Sequence, residues 1–175
     1  MSRLSTLSPA ALQAMFGQET DQELALLVTI YSPTNPSTVI ARLSDSYTQR
    51  ILDLTTNDDI VYGIPSRGNN YIFLPLQITL PDEAETSASR CSITIYDVTR
   101  YLLPIIRTIE GKPKVKLEMV LTGSPDTVEA SFSNLYITNF NYSVDTVTAD
   151  LSMIDYEVEP FPQYSFTPVH FPGLF

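Results

Sequence analysis

Apolar and polar positions set up a mostly β reading from Glu23 onward. Glu23 to Tyr31 places Leu24, Leu26, Val28 and Ile30 on one face, and Pro33 ends the run. Thr38 to Leu43 is a second predicted strand. Leu52 to Thr55 and Ile60 to Ile64 form two short ones around an Asn57-Asp58-Asp59 turn. Asn70 to Leu80 reads as a strand with Pro75 near an edge or a bulge, because proline cannot donate to a ladder. Pro81 to Thr86 reads as a loop. Ser89 to Tyr96 then alternates cleanly, with Cys91, Ile93 and Ile95 against Arg90, Ser92, Thr94 and Tyr96. Lys114 to Leu121 does the same, with Val115, Leu117, Met119 and Leu121 on one face. Val128 to Tyr142 and Val144 to Tyr156 predict a long hairpin that bends between Asn141 and Asp145.

The period changes to that of a helix in two places. Over residues 8–16, Ser8 is a natural N-cap, Pro9 fits the first helical position and Gly17 closes the end. Leu12, Met15 and Phe16 share an apolar stripe, and so short a helix is expected to dock. Asp97 to Ile109 carries Val98, Tyr101, Leu102, Ile105 and Ile109 at helical spacing behind a capping Asp97. Pro104 inside that pattern predicts a kink or two abutting helices. The sum is a mainly β barrel or sandwich with one or two short helices. Residues 1–159 form one domain, and 160–175 form an extended arm. No internal repeat and no Gly/Ser linker interrupts the chain.

The arm concentrates the unusual composition. It interleaves Phe161, Tyr164, Phe166, Phe171 and Phe175 with Pro160, Pro162, Pro168 and Pro172. Proline excludes a helix interior or a central strand, so the arm is expected to run extended. Five rings on an extended arm call for a groove on the chain itself or on a neighbour. As a whole the 175 residues are 43% apolar, enough for a core, and only 17% charged, with Ser, Thr, Asn, Tyr and Pro in place of charge. A net charge of −10 argues against direct nucleic-acid binding and against an anionic membrane face. No apolar run reaches the length of a membrane span, and Met1-Ser2-Arg3-Leu4 lacks a signal-peptide pattern, so a product made and kept in a cytoplasm, or released without the secretory route, is expected.

Chemistry is hard to assemble from these residues. The one histidine, His170, sits in the arm, a poor place to hold a base against a nucleophile. The one cysteine, Cys91, lies in a strand pattern and excludes an internal disulfide. Acidic residues gather at Asp58-Asp59, at Asp82, Glu83 and Glu85, and at Asp155, Glu157 and Glu159, without the spacing of a calcium loop. No phosphate-binding, nucleophile-elbow or zinc-protease motif occurs. No catalytic residue, cofactor site or metal site is expected.

The end of the chain resembles that of a phage family. Glu159-Pro160-Phe161-Pro162, Phe166-Thr167-Pro168 and Phe171-Pro172-Gly173-Leu174-Phe175 look like the carboxyl end of the DUF1833 family of bacteriophage tail proteins. The Leu24 to Tyr31 and Tyr71 to Pro81 strands, the short helix after Ser92 to Asp97 and the region from Phe132 to Leu151 follow the same outline. The order is also similar to the amino-terminal part of the minor tail protein L of lambdoid phages. Proteins of that type carry further cysteines for a metal cluster in a carboxyl extension; with one cysteine here, the cluster is not carried over. The resemblance implies a tail-tube-like β domain that forms a homo-oligomeric ring of three or six copies in the virion tail. Its expected partners are the tail tube protein and a central hub or fibre protein. Genomic DNA would pass through without specific binding, helped by an acidic inner wall, and no membrane is involved. The arm residues Phe161, Tyr164, Phe166, Phe171 and Phe175 would then be subunit-interface anchors. The alternative is a non-enzymatic β-sandwich that binds host-surface carbohydrate or peptide; a glycan hydrolase ranks last, since the chain has no tryptophan.

Overall fold

The computed structural model describes residues 7–17, 19–35, 37–51, 61–79, 90–97, 100–109, 111–143 and 145–152. Among them the chain is mainly β, as the alternation predicts. A short helix α1 (Pro9–Phe16) leads into β1 (Leu24–Tyr31), β2 (Val39–Ser44), β3 (Gln49–Ile51), β4 (Val61–Ser66), β5 (Asn69–Phe73), β6 (Leu76–Thr79) and β7 (Arg90–Tyr96). A second helix α2 (Leu102–Arg107) precedes β8 (Lys114–Leu121), β9 (Ser124–Tyr142) and β10 (Thr146–Ser152). The strands form one sheet in the order β3-β4-β5-β2-β1-β8-β9-β10-β7-β6, antiparallel except for the β2–β5 pair. The predicted strand at Leu52 to Thr55, the loop at Pro81 to Thr86 and the arm lie outside the described residues.

The predicted strand from Asn70 to Leu80 is divided. Residues 69–73 pair with β4 and with the end of β2, whereas residues 76–79 pair with β7. Leu74-Pro75 is the junction: the Leu74 N–H donates to the Ser44 carbonyl at 3.0 Å, and the Pro75 carbonyl accepts from Tyr96 N–H at 2.8 Å. Pro75 has no N–H to extend either ladder, so the segment changes partners there. One stretch of chain thus touches both flanks of the curled sheet without a continuous ladder, and the sheet is not closed into a barrel.

Curling creates two apolar layers. On the concave face, Leu26 and Val28 of β1, Leu43 of β2, Leu117 of β8, Leu135 of β9, and Ile93 and Ile95 of β7 share one cluster with Leu74 and Leu102. On the other face of β1 and β8, Ala25, Leu27 and Val120 pack under Ile64 and Tyr71 of the β4–β5 hairpin. Both faces of the central strands are therefore covered, which explains why β1 reads as a continuous buried run from Ala25 to Thr29. Gly63 sits where that hairpin is tightest: a Cβ there would overlap the Tyr71 carbonyl.

β9 holds the two halves together. Ser124 to Tyr136 pairs with β8, and Tyr136 to Tyr142 pairs with β10. Between Leu117↔Phe132 and Val115↔Leu135, Ser133 and Asn134 both face Lys116, a bulge that Asn134 accommodates at φ 65°. Asparagine tolerates this left-handed conformation, and the added bend steers β9 away from β8.

Helix α1 behaves only partly as predicted. Ser8 caps it through Ala11 N–H at 3.1 Å. The buried Glu129 carboxylate accepts from both Ser8 N–H and Ser8 Oγ, each at 2.7 Å, and so ties the cap to β9. Ala11 is buried, but Met15 and Phe16 remain 60% and 76% exposed, so the expected apolar stripe is not what docks. The cap does the anchoring instead.

Candidate functional site

A cavity of about 210 Å³ lies between α2 and the concave face of the sheet. Its construction begins at the end of β7. Asp97 is buried, and its carboxylate accepts from Tyr101 N–H at 2.8 Å and from Leu102 N–H at 2.7 Å. These bonds satisfy donors at the start of α2 that have no partner within the helix. Asp97 N–H also donates to the Asp145 carbonyl at 3.0 Å, which joins the helix entry to the β9–β10 turn. Pro104 is the third residue of α2, inside its first turn, where a missing N–H removes no helical bond. The result is one short helix rather than the expected kinked or divided one.

From this entry α2 turns Leu102, Ile105 and Ile106 inward, and Ile109 follows. Val28 and Ile30 of β1, Val115 of β8, Ile137 and Phe140 of β9, and Val147 of β10 face them across the cavity. Two small residues leave the space: Ala41 on β2, opposite Ile30, and Ala149 on β10, between Ile93 and Phe140 in register. Gly111, Lys112 and Pro113 border the cavity after the helix. Among the described lining residues, Lys112 is the one ionisable group and Thr138 the one hydroxyl. Such a site can bury an apolar group.

Polar groups gather on the opposite face, around Glu118. The β4–β5 turn places Arg67 and Gly68 at φ 49° and 74°, the double left-handed geometry of a tight hairpin turn. This aims the Arg67 guanidinium at Glu118, with Nη1 to Oε1 at 2.9 Å and Nη2 to Oε2 at 2.7 Å. Lys116 Nζ lies 2.8 Å from Oε1. The Arg67 bonds first, and those of Lys116 after, hold the Glu118 carboxyl below its ordinary value against the opposing effect of burial. The same turn is fastened by Ser66 Oγ to the Pro125 carbonyl at 2.7 Å and by Arg67 N–H to Asp126 Oδ1 at 2.6 Å. Every partner is a group that the fold itself uses, so this cluster is a clamp between the hairpin and the β8–β9 turn.

Cys91 is buried in the concave core, where loss of solvation pushes its thiol up to about 11. It is a packing residue, as its strand pattern predicts. Among the described residues, no helix is long and apolar enough to cross a membrane. The arm residues Phe161, Tyr164, Phe166, Phe171 and Phe175, and His170, lie outside the described residues.

Sequence reasoning found the inward face of α2 at Leu102, Ile105 and Ile109 but missed Ile106 and the cavity. The available signal was the pair Ala41 and Ala149, small residues at positions where the alternation places bulky ones. No family model, curated protein or solved structure matches the chain.

Proposed function

We propose that the chain is a structural protein of a long-tailed bacteriophage, a tail-tip component that works by contact rather than catalysis. The carrying observation is the terminal motif Phe171-Pro172-Gly173-Leu174-Phe175, with its preceding Pro/Phe repeats, on a mainly β domain. In this reading three or six copies form a ring in the virion tail, assembled in the host cytoplasm. The ring joins the tail tube to the central hub or fibre. Head-to-tail contacts close such a ring by rotation, and aromatic anchors supply much of the binding energy. Proline lowers the ordering cost of the arm by restricting it beforehand. The net charge of −10 suits a passage through which DNA moves without sticking.

Among the described residues, the buried carboxylates of Glu118, Glu129 and Asp97 make structural contacts, with Arg67, with Ser8 and at the head of α2. Disrupting the gene in the phage or prophage that encodes it tests the proposal. The expected product is DNA-filled heads with absent, unfinished or unjoined tails, rescued by the gene supplied in trans. Fully infectious particles from the disrupted genome would overturn it.

A further inference from the structure

We propose that the cavity beneath α2 is the seat of one phenylalanine ring from the arm 160–175 of the same chain. The first argument is size. A cavity of about 150 Å³ lined by Leu, Ile and Phe accepts a benzene molecule, and this one measures about 210 Å³, so one aromatic ring fits and two do not. The second is chemistry. Ile105, Ile106, Ile137 and Phe140 offer apolar contact on several sides. The lining is apolar apart from Thr138 and Lys112, so a phenylalanine ring needs nothing further there, whereas Tyr164 would have to turn its hydroxyl to one of those two. The arm supplies Phe161, Phe166, Phe171 and Phe175.

The third argument is where the described chain ends. Leu151 lines the cavity, and Ser152 follows it as the last residue of β10. Ser152 pairs with Tyr136, which pairs with Lys114, the residue after Pro113 at the cavity border. Two strand spacings separate Ser152 from Lys114, about 10 Å. Residues 153–160 span up to about 28 Å when extended, so the arm reaches the cavity from its own strand with chain to spare. A copy of the arm from another molecule would have to compete with one already tethered beside the site. Seating one ring would fix the arm at that residue and leave its other rings for neighbours, which deepens the tail-tip reading. The seat itself belongs to the single chain and holds whether or not the protein joins a tail.

Methyl NMR of the full chain, labelled at the isoleucine methyls, tests this. Four variants replace Phe161, Phe166, Phe171 or Phe175 by Ala in turn. One of them is expected to remove a ring-current shift from Ile105, Ile106 and Ile137 while leaving Ile64, in the other apolar layer, unmoved as the folding control. Ala149→Leu, which fills the cavity from β10, is expected to produce the same loss with the arm intact. The shifts are expected to be equal in dilute and concentrated samples. The proposal is overturned if no variant moves the cavity methyls, or if their shifts depend on concentration, which would place a second copy's arm in the site. Stoichiometric fatty acid in an organic extract of the protein would also overturn it. None of these outcomes decides whether the chain is a tail protein, which the gene disruption reads separately.

Discussion

Removing the Arg67 guanidinium tests how the β4–β5 hairpin is held on the sheet. Glu118 keeps 4% of its side chain exposed and accepts two bonds from Arg67, whose own side chain is 35% exposed. Breaking a fully buried pair costs about 3–5 kcal/mol. Here Lys116 stays within 2.8 Å of Glu118, and water already reaches Arg67. The expected loss for Arg67→Ala is therefore smaller, about 1.5–3 kcal/mol. Arg67→Gly removes the same bonds but suits a φ of 49°, so it should be about 1 kcal/mol more stable than the alanine variant. Urea unfolding followed by far-ultraviolet circular dichroism reads both. With a slope of about 1–3 kcal/mol/M, a loss of about 2 kcal/mol moves the midpoint by roughly 1 M. A double-mutant cycle with Glu118→Gln isolates the pair, with an expected coupling of about 1–2 kcal/mol. Coupling below about 0.3 kcal/mol, within the error of additivity, would refute the clamp. A glycine variant no more stable than the alanine variant would refute the backbone argument.

Four other outcomes follow from the same structure. Leu117→Ala, at a fully buried position on the concave face, should cost about 2–5 kcal/mol in the same unfolding assay, whereas Phe16→Ser on the exposed end of α1 should change stability by less than about 0.5 kcal/mol. Glu118 is held below its ordinary 4.5, so its contribution is present above that pH and is lost as pH falls through the folded value; Glu118→Gln should flatten this part of the stability profile. Asp45 has the opposite sign, because burial raises its carboxyl above the ordinary 3.8: it costs stability as pH rises from 3.8 through the folded value, and Asp45→Asn should relieve that cost in urea titrations across pH. The Cys91 thiol, pushed up to about 11 and buried, should resist a thiol reagent at pH 8 in the folded protein and react only on unfolding.

Much of the fold was legible in the alternation. Lys114 to Leu121 matches β8 end for end, and the bend between Asn141 and Asp145 falls between β9 and β10. β1 begins one residue inside its predicted run and ends where predicted. The misses have physical causes. β3, at Gln49 to Ile51, is three residues long with two exposed, too short to show a period. Pro75 marked an irregular strand, but the exchange of partners there depends on β2 and β7, distant in sequence and close only after folding. Pro104 predicts a kink or two abutting helices if the first turn starts at Asp97; the capping carboxylate instead bonds forward to Tyr101 and Leu102. The stripe of Leu12, Met15 and Phe16 was visible, but what anchors α1 is a polar contact from Glu129, far along the chain.

The cavity was harder to foresee. A void is a property of several elements together: α2, the inner face of β10 and the Gly111-Lys112-Pro113 border each contribute a wall. Only Ala41 and Ala149, small where their neighbours are large, carried any trace of it in the sequence. The clamp was equally silent, since Arg67 and Glu118 are distant in sequence and meet only because a two-residue turn folds the hairpin over the outer face.

The central claim is that this chain is a structural part of a phage tail tip. Cryo-electron microscopy of the tail ends of purified particles, with this chain traced into the map, tests it most directly. The account predicts three or six copies in a ring below the tail tube, with rings of the 160–175 arm seated in apolar grooves. Absence of the chain from the mature particle would contradict it.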